Sequence, residues 1–297
     1  MRILVAGGGG FVGRHLCREL KERGHTVTAL SRTPSGDDLP GGVEKAMGDV
    51  TAADSLREPF DGQDVVVNLV ALSPLFRPGG GEKMHDRVHR QGTENVVRVA
   101  EEVGVSKLVQ MSALGADPDG PTAYIRAKGA AEEIVKSSSL PYVVFRPSVI
   151  FGDGGEFVSF TKKLAPPYLT PLPGGGETLF QPLWVGDLVP MMADACEDDA
   201  YDGGVYEVGG PEKLTLAEVA RIVHGVEGRS VTVLSIPMAL AGVGLSVLGM
   251  VPGAPMGADQ FRSLQFDNTT SHNDVEAFGV DEADLTTLGA YLEGQNS

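Results

Sequence analysis

Short apolar runs alternate with longer stretches of helical period through the first half of the chain. Met1–Ala6, Val27–Ser31, Val43–Met47, Asp64–Leu69, Lys107–Ser112 and Tyr142–Arg146 are rich in aliphatic and β-branched residues, and each is predicted to be a strand. Between them, 11–23, 86–103 and 122–137 carry the spacing of amphipathic helices. Such alternation builds βαβ units, so the predicted fold is α/β, a doubly wound parallel sheet with helices on both faces. After Phe151 the texture changes as Pro and Gly accumulate, for example in Pro166-Pro167 and Pro173-Gly174-Gly175-Gly176. Strands near 183–210, Val205–Val208 among them, are expected to return to the sheet, and 215–226 is predicted as a helix N-capped by Thr215. The expected organisation is a main domain over 1–165 and a smaller, interleaved lobe over 166–297. Ser235–Ala258 has no charged residue, but Pro237, Pro252 and Pro255 break it, which suits core or a pocket wall better than a bilayer span.

The first strand runs straight into Gly7-Gly8-Gly9-Gly10-Phe11-Val12-Gly13 and then into a helix. In a strand–turn–helix setting these glycines have physical tasks. Gly7 lets the chain turn sharply. Gly10 lets a pyrophosphate approach the amides at the helix N-terminus. Gly13 allows the helix to pack closely on the sheet. The spacing is G-x-x-G-x-x-G, which makes the first domain a Rossmann-type NAD(P)-binding unit in expectation.

A second constellation follows the fifth strand. Tyr124 and Lys128 stand four apart on one predicted helix face, and Ser112 ends the preceding strand, where a parallel sheet delivers residues to its crevice. Tyr124 is then a candidate general acid/base, with Lys128 expected to lower the phenol's pKa and Ser112 expected to orient the substrate oxygen.

These pieces, with Gly48-Asp49-Val50, Asn68-Leu69-Val70-Ala71, Gly92-Thr93-x-Asn95, Arg146-Pro147, Phe151-Gly152 and Val185-Gly186-Asp187, resemble the extended or atypical short-chain dehydrogenase/reductases. That group holds nucleotide-sugar epimerases, 3β-hydroxysteroid dehydrogenases and the nucleotide-binding accessory subunit of respiratory complex I. The stretch from Asp259-Gln260-Phe261 to Asp267-Asn268 resembles the last of these most. The resemblance implies that Phe11 and Val12 belong to the cofactor turn, that Asp49 and Val50 contact the adenine, that Leu69, Ala71 and Pro147 line the cofactor, and that Lys128 holds the nicotinamide ribose. Three departures narrow it. Ala113-Leu114-Gly115 follows Ser112 where dehydratases carry carboxylates, Ser148 replaces the asparagine usual in sugar-nucleotide enzymes, and His89 stands where many relatives have Asn.

Cofactor choice is read at the end of the second strand. NAD-preferring relatives carry a carboxylate there for the ribose 2′-OH. This chain has Ser31-Arg32, suited to a phosphate, so NADP(H) is expected ahead of NAD(H). Basic residues are few in the second half, whereas Phe157, Phe160, Leu164, Tyr168 and Leu172 offer an apolar wall, so an apolar carbonyl or alcohol is the expected substrate. The reading is therefore an NADP(H)-dependent oxidoreductase, with a cofactor-bound structural subunit and an epimerase as alternatives.

Charge removes other classes. The 297 residues carry a net charge of -16, which argues against nucleic acid and anionic membrane partners and resembles a surface adapted to high salt. Two widely separated cysteines, Cys17 and Cys196, suit a reducing cytosol better than a disulfide or a metal site, and no metal is expected. No basic n-region precedes the first strand, so a cytoplasmic protein without a signal peptide is expected. Peripheral membrane or complex association stays open, as does the oligomeric state.

Overall fold

The computed structural model describes residues 1–33, 39–237, 258–263 and 265–295. Most of the charge-free stretch 235–258 therefore lies outside the described residues. The chain divides into two compact units, one of Met1–Leu72, Glu82–Pro147 and Val185–Glu207, the other of Ser73–Gly81, Ser148–Trp184 and Val208–Ser297.

In the first unit β1 (Arg2–Ala6) leads through the glycine turn to α1 (Phe11–Glu22), followed by β2 (Thr26–Ser31), β3 (Glu44–Met47) and the single turn α2 (Arg57–Phe60). After β4 (Val65–Asn68), α3 (Lys83–His85) passes through a π-helical stretch, Asp86–Gln91, into α4 (Gly92–Val103). Gly104, in the left-handed conformation at φ 79°, stops α4. Then come β5 (Lys107–Met111), α5 (Ala123–Lys136) and β6 (Tyr142–Pro147). Thr122 caps α5 by accepting the Ile125 amide at 3.2 Å.

The seven-stranded sheet runs Val205–Val208, β6, β5, β4, β1, β2, β3. The registered pairs are parallel, with Ile3 opposite both Val27 and Val65, and Val109 opposite Val67 and Val143. β4 is buried along its whole length, as a central strand covered on both faces must be. Leu4, Leu30, Phe60, Val66, Val96, Ala100, Leu108 and Val144 close one core cluster. The order reverses direction between β1 and β4, and the C-terminal ends of those strands carry the candidate site.

The second unit is built from short pairs. Ile150–Phe151 runs parallel to Leu183–Trp184, Tyr168–Pro173 runs parallel to Val231–Ile236, and Leu179–Phe180 runs antiparallel to Leu214–Thr215. The helix Leu216–Gly225 opens with a full capping box between Thr215 and Glu218, the cap expected from the sequence. Val185–Glu207 returns to the first unit, which the chain leaves after Pro147. Beyond it the chain changes partners, and Ser148 Oγ donates to Asn268 at 2.8 Å. Phe157 and Leu172, expected on a substrate wall, instead fill the unit's own core with Phe151, Phe180, Leu216 and Val219. Tyr168 is exposed. Cys17 and Cys196 are both free, and burial pushes each thiol up to about 12.

Candidate functional site

A cleft of about 270 Å³ opens along the C-terminal ends of β1, β2 and β4. Gly7, Gly10, Ser31, Arg32, Asp49, Val50, Leu69 and Ala71, all expected to hold a cofactor, lie on its walls. Sequence reading missed Leu30, Gly48, Val70, Leu72 and Val88, which line it too. Gly48 and Val70 fall within the motifs that carry the resemblance, Leu30 and Leu72 adjoin predicted residues, and Val88 had no signal.

The turn at the head of the cleft needs its glycines. Gly7 sits at φ 85°, a region that strains any residue with a Cβ. Gly13 packs under the turn so tightly that a Cβ there would lie 2.2 Å from the Gly7 carbonyl oxygen. Gly10 is the N-cap of α1, leaving the first amides of the helix without side-chain partners. Phe11 and Val12 begin α1 behind it, with Phe11 edge-on to His15 at 5.7 Å.

The opposite walls are fixed by local bonds. Asp49 Oδ1 accepts from the Thr51 amide and from Thr51 Oγ1, both at 2.9 Å. The Val50 carbonyl accepts from Asn95 Nδ2 at 2.8 Å. Leu69 donates its amide to Ala6 O at 2.9 Å, the Val70 amide reaches Asn68 Oδ1 at 3.3 Å, and the Leu72 amide reaches His89 Nε2 at 3.3 Å. Arg32 is exposed just beyond the end of β2, and β2 itself, Thr26–Ser31, holds no carboxylate. These features fit a dinucleotide: open backbone for a pyrophosphate and apolar walls for the adenine.

The second constellation lies along α5. Tyr124, Lys128, Glu132 and Lys136 recur every four residues and so share one face of the helix. Lys128 is 1 % exposed, and its Nζ donates to the Met111 carbonyl at the end of β5 at 2.9 Å while standing 5.9 Å from the centre of the Tyr124 ring. Burial pulls this lysine down to about 8, against the upward influence of Glu132. His85 and His89 stack at 5.6 Å and meet the Tyr124 ring nearly perpendicular, at 5.6 and 5.3 Å.

Two expectations change here. Burial raises the Tyr124 phenol above its usual range, so the nearby lysine does not lower it in this state. Ser112 is buried, and its hydroxyl donates to Glu132, a carboxylate only 1 % exposed. Arg146 also grips Glu132, through Nε at 2.8 Å and Nη2 at 2.7 Å, and Lys136 adds a contact at 3.1 Å. Burial works to raise the Glu132 carboxyl, but the bonds from Arg146 and Ser112 outweigh it and hold the group low. With its only proton spent on a fixed anion, Ser112 offers lone pairs alone and cannot donate to a substrate oxygen. Glu132 was missed, although the four-residue repeat after Tyr124 and Lys128 pointed to it.

Lys128 and Pro147 do not line the cleft. Pro147 is buried at the end of β6, where its carbonyl accepts the Leu114 amide at 3.1 Å. Among the described residues no group of His, Cys, Asp and Glu could hold a metal ion, and no helix is long and apolar enough to cross a membrane.

Comparison with known proteins agrees with this geometry. The model of a family described as NAD(P)H-binding matches residues 7–165. The Arabidopsis thaliana protein "NADH dehydrogenase [ubiquinone] 1 alpha subcomplex subunit 9, mitochondrial" is 31 % identical over 74 % of this chain and 56 % of its own length. The chloroplastic divinyl chlorophyllide a 8-vinyl-reductase of Oryza sativa subsp. indica is 28 % identical over 83 % of this chain and 64 % of its own. The chain thus spans somewhat over half the length of these relatives. Among solved structures, the UDP-glucose 4-epimerase of Thermus thermophilus in complex with NAD superposes with a TM-score of 0.68. It covers 92 % of this chain and 95 % of that one at 22 % identity, a likeness of fold.

Proposed function

Since this chain belongs to the NAD(P)H-binding family, we propose that it is an NADP(H)-dependent oxidoreductase of the short-chain type that reduces a carbonyl group on an apolar substrate. The observation that carries this reading is the pairing of Tyr124 with a buried Lys128 on one face of α5, anchored to the end of β5. Relatives named as a reductase and as an NADH dehydrogenase subunit support the redox class.

Gly7, Gly10 and the first amides of α1 would hold the pyrophosphate, Asp49 and Val50 the adenine side, and Leu69 and Ala71 the nicotinamide side. Arg32, helped by Ser31, would take the 2′-phosphate. When bound, the reduced nicotinamide supplies a hydride to the carbonyl carbon. Tyr124, kept protonated by burial, donates its proton to the carbonyl oxygen. Lys128, mostly charged at neutral pH with a pKa of about 8, steadies the phenolate that this leaves. A phenol that holds its proton favours reduction, because the reverse reaction must begin from the phenolate. Ser112 enters as an acceptor only.

An apolar substrate is supported by the engagement of five cations in the second unit. Lys162 and Arg229 bind Glu227, Arg262 binds Asp259, Lys213 donates to the Thr270 carbonyl, and Lys163 lies over the Phe76 ring. A sugar diphosphate would need such groups aimed at its phosphates.

The test is NADPH oxidation, followed by absorbance, across a panel of aliphatic, isoprenoid and steroid-like carbonyl compounds and nucleotide-sugars. Consumption with the apolar carbonyls supports the reading. Consumption confined to polar substrates overturns the apolar assignment. A second reading is favoured by the likeness to the complex I subunit: a cofactor-bound chain that works inside an assembly. Tight nucleotide binding without turnover on any compound would select it.

A further inference from the structure

The wall of the cleft formed by 69–72 leaves β4 as an irregular stretch, so its shape depends on whatever holds its amides. Asn68 secures Val70, and the buried imidazole of His89 secures Leu72. His89 lies in the π-helical stretch Asp86–Gln91, where the helix widens and places the neighbouring Val88 on the same cleft. Such widened turns recur at functional positions. An amide can only donate, so Nε2 must be the bare nitrogen and Nδ1 the protonated one. On its other side the ring meets Tyr124 edge-on at 5.3 Å. One side chain therefore touches both the cofactor wall and the candidate acid.

We propose that His89 is a positioning residue for the dinucleotide: by accepting the Leu72 amide and bracing Tyr124, it sets the wall that receives the nicotinamide half. This deepens the reading of the cleft as a nicotinamide-dinucleotide site and rests on it. The neutral imidazole that the role requires is secured by its surroundings. Burial, then the charge of Lys128 on α5, then His85 on its own helix hold His89 well below its ordinary range, while the remaining ring in contact, Tyr124, stays uncharged. Acid strong enough to protonate Nε2 would set two donors against each other and release Leu72.

Two substitutions separate the hydrogen bond from the packing. His89→Phe keeps an aromatic ring against His85 and Tyr124 but has no acceptor. His89→Gln gives up the ring and keeps a carbonyl oxygen within reach of the amide. Nucleotide affinity is read by fluorescence titration with NADPH, and folding by thermal melting without nucleotide. His89→Phe is expected to bind NADPH roughly three- to tenfold more weakly, the size of one net hydrogen bond. His89→Gln is expected to stay near wild type. Equal affinity in all three proteins would overturn the proposal, as would a loss in His89→Gln as large as in His89→Phe. Failure of the wild type to bind either NADPH or NADH would instead defeat the reading of the cleft. Should His89→Phe not fold, hydrogen exchange in the wild type decides: a Leu72 amide protected in the free protein supports the bond, and one exchanging at the rate of an open loop overturns it.

Discussion

Gly13→Ala is the smallest change that tests the turn at the head of the cleft. The added Cβ would stand 2.2 Å from the Gly7 oxygen, 2.7 Å from the Gly8 Cα and 2.9 Å from the Gly7 carbonyl carbon. Carbon atoms in ordinary contact are about 3.5–4.0 Å apart, and all three neighbours here are backbone, so no rotamer change relieves the clash. Helix α1 and the glycine turn must separate by about 1 Å. Overpacking of this kind costs about 1–3 kcal/mol, and the better helix propensity of alanine returns about 1 kcal/mol, leaving a net loss of up to about 2 kcal/mol. Binding should suffer further, because the same displacement moves the amides that face the pyrophosphate away from Gly7. Urea unfolding and NADPH titration measure the two effects, with an affinity loss of at least about tenfold expected. Gly289→Ala is the control. Its Cβ meets nothing within 4 Å inside the helix Leu288–Gln295, so it should gain up to ~1 kcal/mol and leave binding unchanged. Wild-type stability and affinity in Gly13→Ala would refute the reasoning.

Three further outcomes follow from the site. Tyr124→Phe should lower turnover by roughly 10²–10⁴-fold while NADPH affinity holds, as expected for loss of a general acid, and near-normal turnover would move that role elsewhere. Arg32→Ala should weaken NADPH by about tenfold or more and leave NADH untouched; parallel losses for both nucleotides would remove Arg32 from phosphate recognition. Lys128 has a folded pKa of about 8 against 10.5 when free, so between those values the unfolded chain binds the extra proton and stability rises with pH. Urea unfolding should therefore show wild type gaining about 3 kcal/mol on Lys128→Met from pH 8 to 10.5, and a flat difference would mean that the lysine is not held low.

The parts legible in the sequence were those set by local pattern. A continuous apolar run, Val65–Val67, marked β4 because a central parallel strand is buried on both faces. Thr215 marked a helix start, and the glycines marked a turn whose geometry depends on them. What escaped depends on contacts between residues remote in the chain. Ser112 looked free to orient a substrate, but its hydroxyl donates its hydrogen bond to Glu132, which α5 places beside it. Lys128 was expected to lower the phenol, yet burial dominates, and burial cannot be read from a four-residue spacing. The assignment of 73–81 to the second unit had no local signature at all.

Calorimetric titration of the purified protein with NADPH and with NADH tests the central claim most directly. The account predicts a single saturable site with NADPH bound more tightly than NADH, and loss of that preference in Arg32→Ala. Binding of neither nucleotide, or NADH bound as tightly as NADPH, would contradict it.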